Sequence, residues 1–370
     1  MFNLLNAISA LAIGIISLAI LVLIIVLFFI LNFRRGIART GLKVGIFVVS
    51  LAVAVFASKP LLSLFDNLFA FSTVFFQFFM TKFAGITGLN VRVTATSLPT
   101  AVENFKAGDS GISATLKQLL VDIFENTSLQ ADRATTLSAI ASTTFSYLCA
   151  LFVVAIVLFF VVYGLLSLVV NLITRHFGGN HEKRKLKPLS GIIGFVEGVV
   201  ISLIILVTFS TIPFFGISTD FLASGFEKTI VMNTPYQFIT KVERDVYKSS
   251  LDFTQINRNS SQNLDDVRTG TYNNTENQDA KWTIYLVIQS KTASSSLVQV
   301  GLTNKENPSQ NIAENCTYIY VDNSLYLFSN GNKLMAICKY DKTEKTLTYK
   351  KIIETETIEE TIKFVSSDIS

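Results

Sequence analysis

Few side chains in this sequence have the types and spacing that chemistry requires. Its two histidines, His176 and His181, lie among Arg175, Lys183, Arg184, Lys185 and Lys187, where solvation is the ordinary fate of an imidazole. No His-Glu-x-x-His pair, phosphate-binding glycine loop or Gly-x-Ser-x-Gly elbow is present, so no catalytic residue, metal centre, cofactor or enzyme activity is expected. Glu197 is the single acid in the apolar run 189–216. An ionisable group within such a run is costly and marks a functional candidate. It fits either pairing with Arg34, Arg35 or Arg175 near a membrane interface, or a part in proton or ion passage. Cys316 and Cys338 fall in the polar C-terminal region, where a disulfide and a pair of unbonded core thiols fit equally.

The elements that must position these residues are dictated by apolarity. Hydrophobic residues make up 50% of the 370, and charged residues only 16% against about 25% in soluble domains. The net charge of +4 is too small to suggest nucleic acid. Uncharged or nearly uncharged runs at 7–33, 147–174 and 189–216 reach the roughly 20 residues that cross a hydrocarbon core of about 30 Å. A shorter run at 41–58 is bracketed by Lys43 and Lys59, which can snorkel to the interfaces. The first run is unlike a secretory signal, because no charge precedes it and arginines follow it. The fold expected is therefore an α-helical integral membrane protein: a four-helix transmembrane bundle with a small extracytoplasmic β-rich C-terminal domain.

Orientation follows from the basic residues. Arg34, Arg35, Arg39 and Lys43 follow the first run; Arg175, Lys183, Arg184, Lys185 and Lys187 follow the run 147–174, with Glu182 the only acid between them. Basic segments stay in the cytoplasm, so both termini and the loop 59–146 are expected outside. Within that loop, 61–83 has a stripe of Ser63, Asp66, Asn67, Ala70, Thr73, Gln77 and Thr81 at helical spacing against Leu62, Phe65, Phe69, Phe76, Phe79 and Phe83. This predicts an amphipathic helix lying in the outer interface or dipping back into the bundle. A second amphipathic helix is expected over 113–126, with Leu116, Leu119, Leu120 and Ile123 on one face, and a helical approach to the third span over 132–146.

Beyond the last run the chain reads as a mixed segment at 217–251, a polar linker at 252–281 and a β-rich domain at 282–370. Strands are expected at 283–289, 296–302, 316–322, 324–329 and 333–340. Asp322-Asn323 and Asn330-Gly331-Asn332 serve as hairpin turns, and a further hairpin turns around 341–345. Along 189–216, Gly191, Gly194, Gly198 and Ser202 align small residues on one helix face, as close packing of two helices requires. That face suits either another span of the same chain or a homo-oligomer.

Two elements resemble the colicin V production protein (CvpA) family of bacterial inner-membrane proteins. One is the first span running into Arg34-Arg35-Gly36 and a second span from Gly41. The other is the basic turn after Asn171 leading into Gly191-Ile192-Ile193-Gly194-Phe195-Val196-Glu197-Gly198. The resemblance covers 1–216 and implies a plasma-membrane protein of transport or export, connected with toxin production, with no settled biochemical activity. The residues themselves leave a second class open: an anchor in the lipid bilayer whose external domain binds an envelope protein or the cell wall.

Overall fold

The computed structural model describes residues 2–35, 37–112, 114–131, 133–177, 191–202, 237–238, 241, 245–246, 251, 253–259, 266–291, 296–307, 311–352 and 357–366. Two compact units are each built from separate stretches of chain: Met1–Ser72 with Leu148–Ser250, and Thr73–Tyr147 with Leu251–Ser370.

The first unit contains α1 (Phe2–Arg35) and α2 (Ile37–Phe69), whose lengths follow from uninterrupted apolar sequence. It also holds most of a helix that starts in the second unit, treated below. The expected four-helix transmembrane bundle is not what the described residues form. Among the described residues two helices are long and apolar enough to cross a membrane, Gly41–Asp66 and Leu137–Leu172. The other apolar stretches found among them, Leu18–Leu31 within the 34-residue α1 and Gly191–Ser202, fall in the range of 10–17 residues. The remainder of the expected span 189–216 lies outside the described residues, as does nearly all of the segment 217–251.

The predicted amphipathic helix at 61–83 is also corrected. Helix α2 continues through 41–58 to Phe69 and stops at Ala70, which has φ +50°. The Asp66 carbonyl accepts the Ala70 N–H at 3.1 Å, and the Asp66 carboxylate accepts the Ser72 N–H at 2.5 Å. Helical spacing in the sequence continues across this point, but the backbone does not. A 3-10 turn (Phe71–Thr73) follows, and α3 (Phe76–Phe83) buries Phe76, Phe79, Met80 and Phe83.

In the second unit, β1 (Arg92–Thr94) is followed by α4 (Leu98–Ala107) and α5 (Ala114–Glu125), then β2 (Ala134–Thr136), antiparallel to β1. Helix α5 buries Leu116, Leu119, Leu120 and Ile123 as its periodicity predicts. Thr136 caps α6 (Leu137–Phe177) by accepting the Ala139 N–H at 3.2 Å. Residues 137–147 of α6 are buried despite their Ser and Thr content. Ser142, Thr143 and Thr144 donate to the carbonyls of Ser138, Ala139 and Ile140 of the same helix, so no bare hydroxyl is buried there.

Helices α7 (Gly191–Ser202), in the first unit, and α8 (Phe253–Asn259), in the second, precede eight antiparallel strands. These are β3 (Gly270–Asn273), β4 (Trp282–Ile288), β5 (Leu297–Asn304), β6 (Ile312–Val321), β7 (Ser324–Phe328), β8 (Leu334–Asp341), β9 (Thr346–Ile352) and β10 (Thr357–Ser366). Each pairs with the next, and β10 pairs with β3 to close a barrel. The β6–β7 hairpin turns through Asp322 (φ +51°) and Asn323 (φ +52°), the left-handed pair that matches strand twist. At the β8–β9 turn, the Asp341 carboxylate accepts the N–H groups of Thr343 and Glu344. Alternate residues fill the interior, among them Tyr272, Trp282, Tyr318, Tyr320 and Tyr349, so the barrel is packed rather than hollow.

Strands β6–β8 are apolar on their outer face as well. Ile319, Val321, Tyr326, Phe328 and Ile337 pack against Phe76 and Met80 of α3 and Ala139 of α6. Arg92 adds a polar clamp, donating to the Tyr318 carbonyl at 2.8 Å and to the Ser296 hydroxyl. The stretch read as a polar linker, 252–281, supplies α8 and β3 instead. Within it Ile256, Val267 and Tyr272 are fully buried.

Closure depends on Gly270, whose φ is +134° and whose missing Cβ would lie 2.3 Å from the Ser366 carbonyl oxygen. Gly270→Ala is expected to destabilise the barrel by at least about 2 kcal/mol. Urea unfolding of the full chain in detergent, followed by emission from Trp282, the only tryptophan, checks this as a lowered midpoint.

Candidate functional site

In the first unit, the small-residue stripe lies on α7, with Gly191, Gly194, Gly198 and Ser202 buried. Helix α1 occupies this face. A Cβ on Gly191 would stand 2.9 Å from the Phe29 ring, and one on Gly198 would stand 2.8 Å from the Cα of Ile25. The Ser202 hydroxyl donates to the Leu21 carbonyl at 3.3 Å. Small residues here let two backbones of the same chain approach, and the stripe is filled by that contact. Glu197 is half-buried on the same helix. Arg34 and Arg35 end α1, Arg39 and Lys43 lie in the first two turns of α2, and Arg175 and His176 lie in the last turn of α6. His181, Lys183, Arg184, Lys185 and Lys187 fall outside the described residues. Between α2 and α6, Phe47 and Phe159 meet edge to face at 5.5 Å.

In the second unit, Cys316 on β6 and Cys338 on β8 are free and buried in the barrel interior. The Cys316 thiol donates to the Met335 sulfur at 3.8 Å. Burial pushes the Cys316 thiol up to about 11, helped by Glu314 and opposed by Lys351. Cys338 moves in the same direction, again chiefly through burial. Burial lowers the Lys351 amine, and Glu314 partly restores it. Among the described residues no cluster of three or more His, Cys, Asp or Glu side chains suits a metal ion. The thiols are core groups held protonated, far from the thiolate that nucleophilic work requires.

The barrel wall is incomplete at one place. Strand β3 meets β10 only from Lys363 to Ser366, so residues 357–362 of β10 pair with β9 on one side. Among the described residues no backbone pairs with them on the other. The facing edge of β4 is treated differently. The Asn274 amide donates to the Trp282 carbonyl at 2.9 Å and accepts the Ile284 N–H at 2.7 Å, standing in for a neighbouring strand. Beside this gap opens a cleft of about 540 Å³, lined by Asn273, Glu276, Asn277, Thr361, Lys363 and Val365. The Lys363 ammonium meets the Glu276 carboxylate at 3.0 Å across it. Its groups are hydrogen-bonding and charged, with no nucleophile and base in contact, so the chemistry on offer is binding.

Sequence reading missed this place because it did not assign β3 or β10. The signal for β10 was present: Ile358, Ile362 and Phe364 alternate with Glu359, Thr361, Lys363 and Val365. Compared with known proteins, the chain matches no family model, no curated protein and no solved structure. The resemblance to the colicin V production family thus rests on its quoted residues alone.

Two outcomes are expected. Thiol groups with raised pKa retain their protons longer in the folded barrel than in the unfolded chain, so their contribution to stability is intact below about pH 9 and is lost as pH rises toward 11. Thermal unfolding between neutral pH and pH 11 should show that loss, diminished in Cys316→Ala. Separately, Gly198→Val should separate α1 from α7 and lower the midpoint of unfolding in detergent, whereas Val200→Ala should change it little.

Proposed function

We propose that this is a plasma-membrane protein whose second unit is held outside the cytoplasm as a binding module for an envelope protein or the cell wall. The observation that carries the reading is the placement of charge on the two helices that, among the described residues, are both long and apolar enough to cross a bilayer. Arg39 and Lys43 lie at the start of α2, whose far end leads into the second unit. Arg175 lies at the end of α6, whose first turns belong to that unit. Basic ends are retained in the cytoplasm, so the second unit belongs on the opposite side. A packed barrel without a nucleophile–base pair or metal cluster among the described residues suits binding better than turnover.

The family resemblance supports a second reading, transport or export, toxin production included, and the half-buried Glu197 on α7 favours it. One experiment separates the two. Both segments of the second unit, 73–147 and 251–370, are removed, and Ser72 is joined to Leu148 by a Gly/Ser linker. If this chain restores the phenotype of a full knockout, the binding reading fails.

Sidedness is checked independently with a membrane-impermeant maleimide on intact cells. Asp279→Cys and Glu344→Cys should react, and Lys185→Cys only after permeabilisation. The reverse pattern overturns the orientation.

A further inference from the structure

We infer that the open edge of β10, residues 357–362, takes up an extended cationic segment of a partner as an additional strand. The inference rests on the second unit being a binding module and names the chemistry of what it binds.

A closed barrel ordinarily leaves no strand edge exposed. Here β3 is four residues long and β10 is ten, so closure ends at Lys363. The unpaired stretch is six residues, about 20 Å of strand, and its N–H and C=O groups facing the gap have no backbone partner among the described residues. The opposing β4 edge is already satisfied by Asn274, so the vacancy belongs to β10 alone. Main-chain bonding to such an edge supplies affinity, and pockets for alternate side chains supply selection. The cleft of about 540 Å³ over the β3–β10 seam reaches the open stretch at Thr361, where it offers room for a side chain of the added strand.

Charge decides the occupant. Glu359 and Glu360 lie on the open stretch, and Glu276 and Asp279 are exposed on the facing turn. Lys363 is engaged by Glu276 at 3.0 Å and Lys350 by Glu359 at 3.2 Å. Lys305 donates to the Asn277 and Gln278 carbonyls of the same turn, so Glu360 and Asp279 stand against Lys305 and the surroundings keep a small acidic excess. A second copy of the chain adding through its own β10 would bring Glu359 and Glu360 against the same residues, which like-charge repulsion disfavours. A strand with lysine or arginine at every second position instead places cations beside Glu360 and Asp279, which no lysine engages among the described residues.

The test uses the full chain in detergent and a labelled peptide of alternating threonine and lysine. Anisotropy should show saturable binding, and Trp282, on the strand across the gap, should report it by a change in emission. Replacing alternate threonines by proline removes main-chain donors without altering charge and should abolish binding. Equal binding of the proline peptide overturns strand addition. Equal binding of a threonine–glutamate peptide overturns the cationic preference, and binding without a Trp282 response overturns the place. Glu360→Gln should weaken the lysine peptide roughly two- to fivefold. Failure of every peptide to bind sinks this inference and leaves the anchored-module reading to the knockout experiment, which does not depend on it.

Discussion

The outer face of β6–β8 is apolar and has to be covered. Tyr326 and Phe328 point outward from a strand whose inward residues, Leu325 and Leu327, are equally buried, so β7 has no solvent-facing side. Cover comes from Phe76, Met80 and Ala139, and the Phe76 ring stands edge-on to Tyr326 at 5.5 Å. Those residues lie roughly two hundred positions earlier in the chain. The barrel is therefore not a module attached behind a membrane domain. It is completed by 73–147, and everything between Leu148 and Ser250 is an insertion between two parts of one folded unit. The entropic cost of closing so long a connection grows only slowly with its length, so packing of this quality outweighs it.

That dependence orders the remaining features. Arg92 reaches the carbonyl of Tyr318 and the hydroxyl of Ser296, fastening β1 to β6, which α3 covers, and to the residue before β5. Removal from water disfavours its charge, which explains why burial lowers its pKa and why two oxygen acceptors accompany it. Helix α6 belongs to both units: polar hydroxyls turned onto its own carbonyls serve the buried turns, and an uninterrupted apolar surface serves the rest. One helix thus passes from a protein-packed environment to one suited to lipid without a break in hydrogen bonding.

What the sequence disclosed follows the same physics. Hairpins set by local chemistry were legible: Asp322-Asn323 takes the left-handed conformations its residue types favour, and Asn332 does so in the next turn. Amphipathic α5 was legible from four leucines and isoleucines on one face. The break at Ala70 was not, because alanine there gives no sign of a positive φ and the polar spacing continues across it. Four spans were read from apolar length alone, yet α1 and α7 show how such length also serves helix contact, with Gly198 against Ile25. Strand β3 escaped notice because it is four residues in an Asn-, Thr- and Asp-rich stretch, where composition argues for a loop and only tertiary pairing decides otherwise.

The same short strand accounts for where the barrel wall is incomplete. Inside, five tyrosines and Trp282 fill the barrel, so no internal chamber competes with the outer surface. Outside, most of the wall is either paired strand or lies under α3. The seam is the exception, since four residues of β3 must join a ten-residue β10, and Gly270 permits the close approach that lets so brief a pairing hold. Had β3 continued through Asn274 to Asn277, its backbone would have satisfied both neighbours. Instead a turn begins there, the Asn274 side chain serves β4, and residues 357–362 of β10 have no second backbone partner among the described residues.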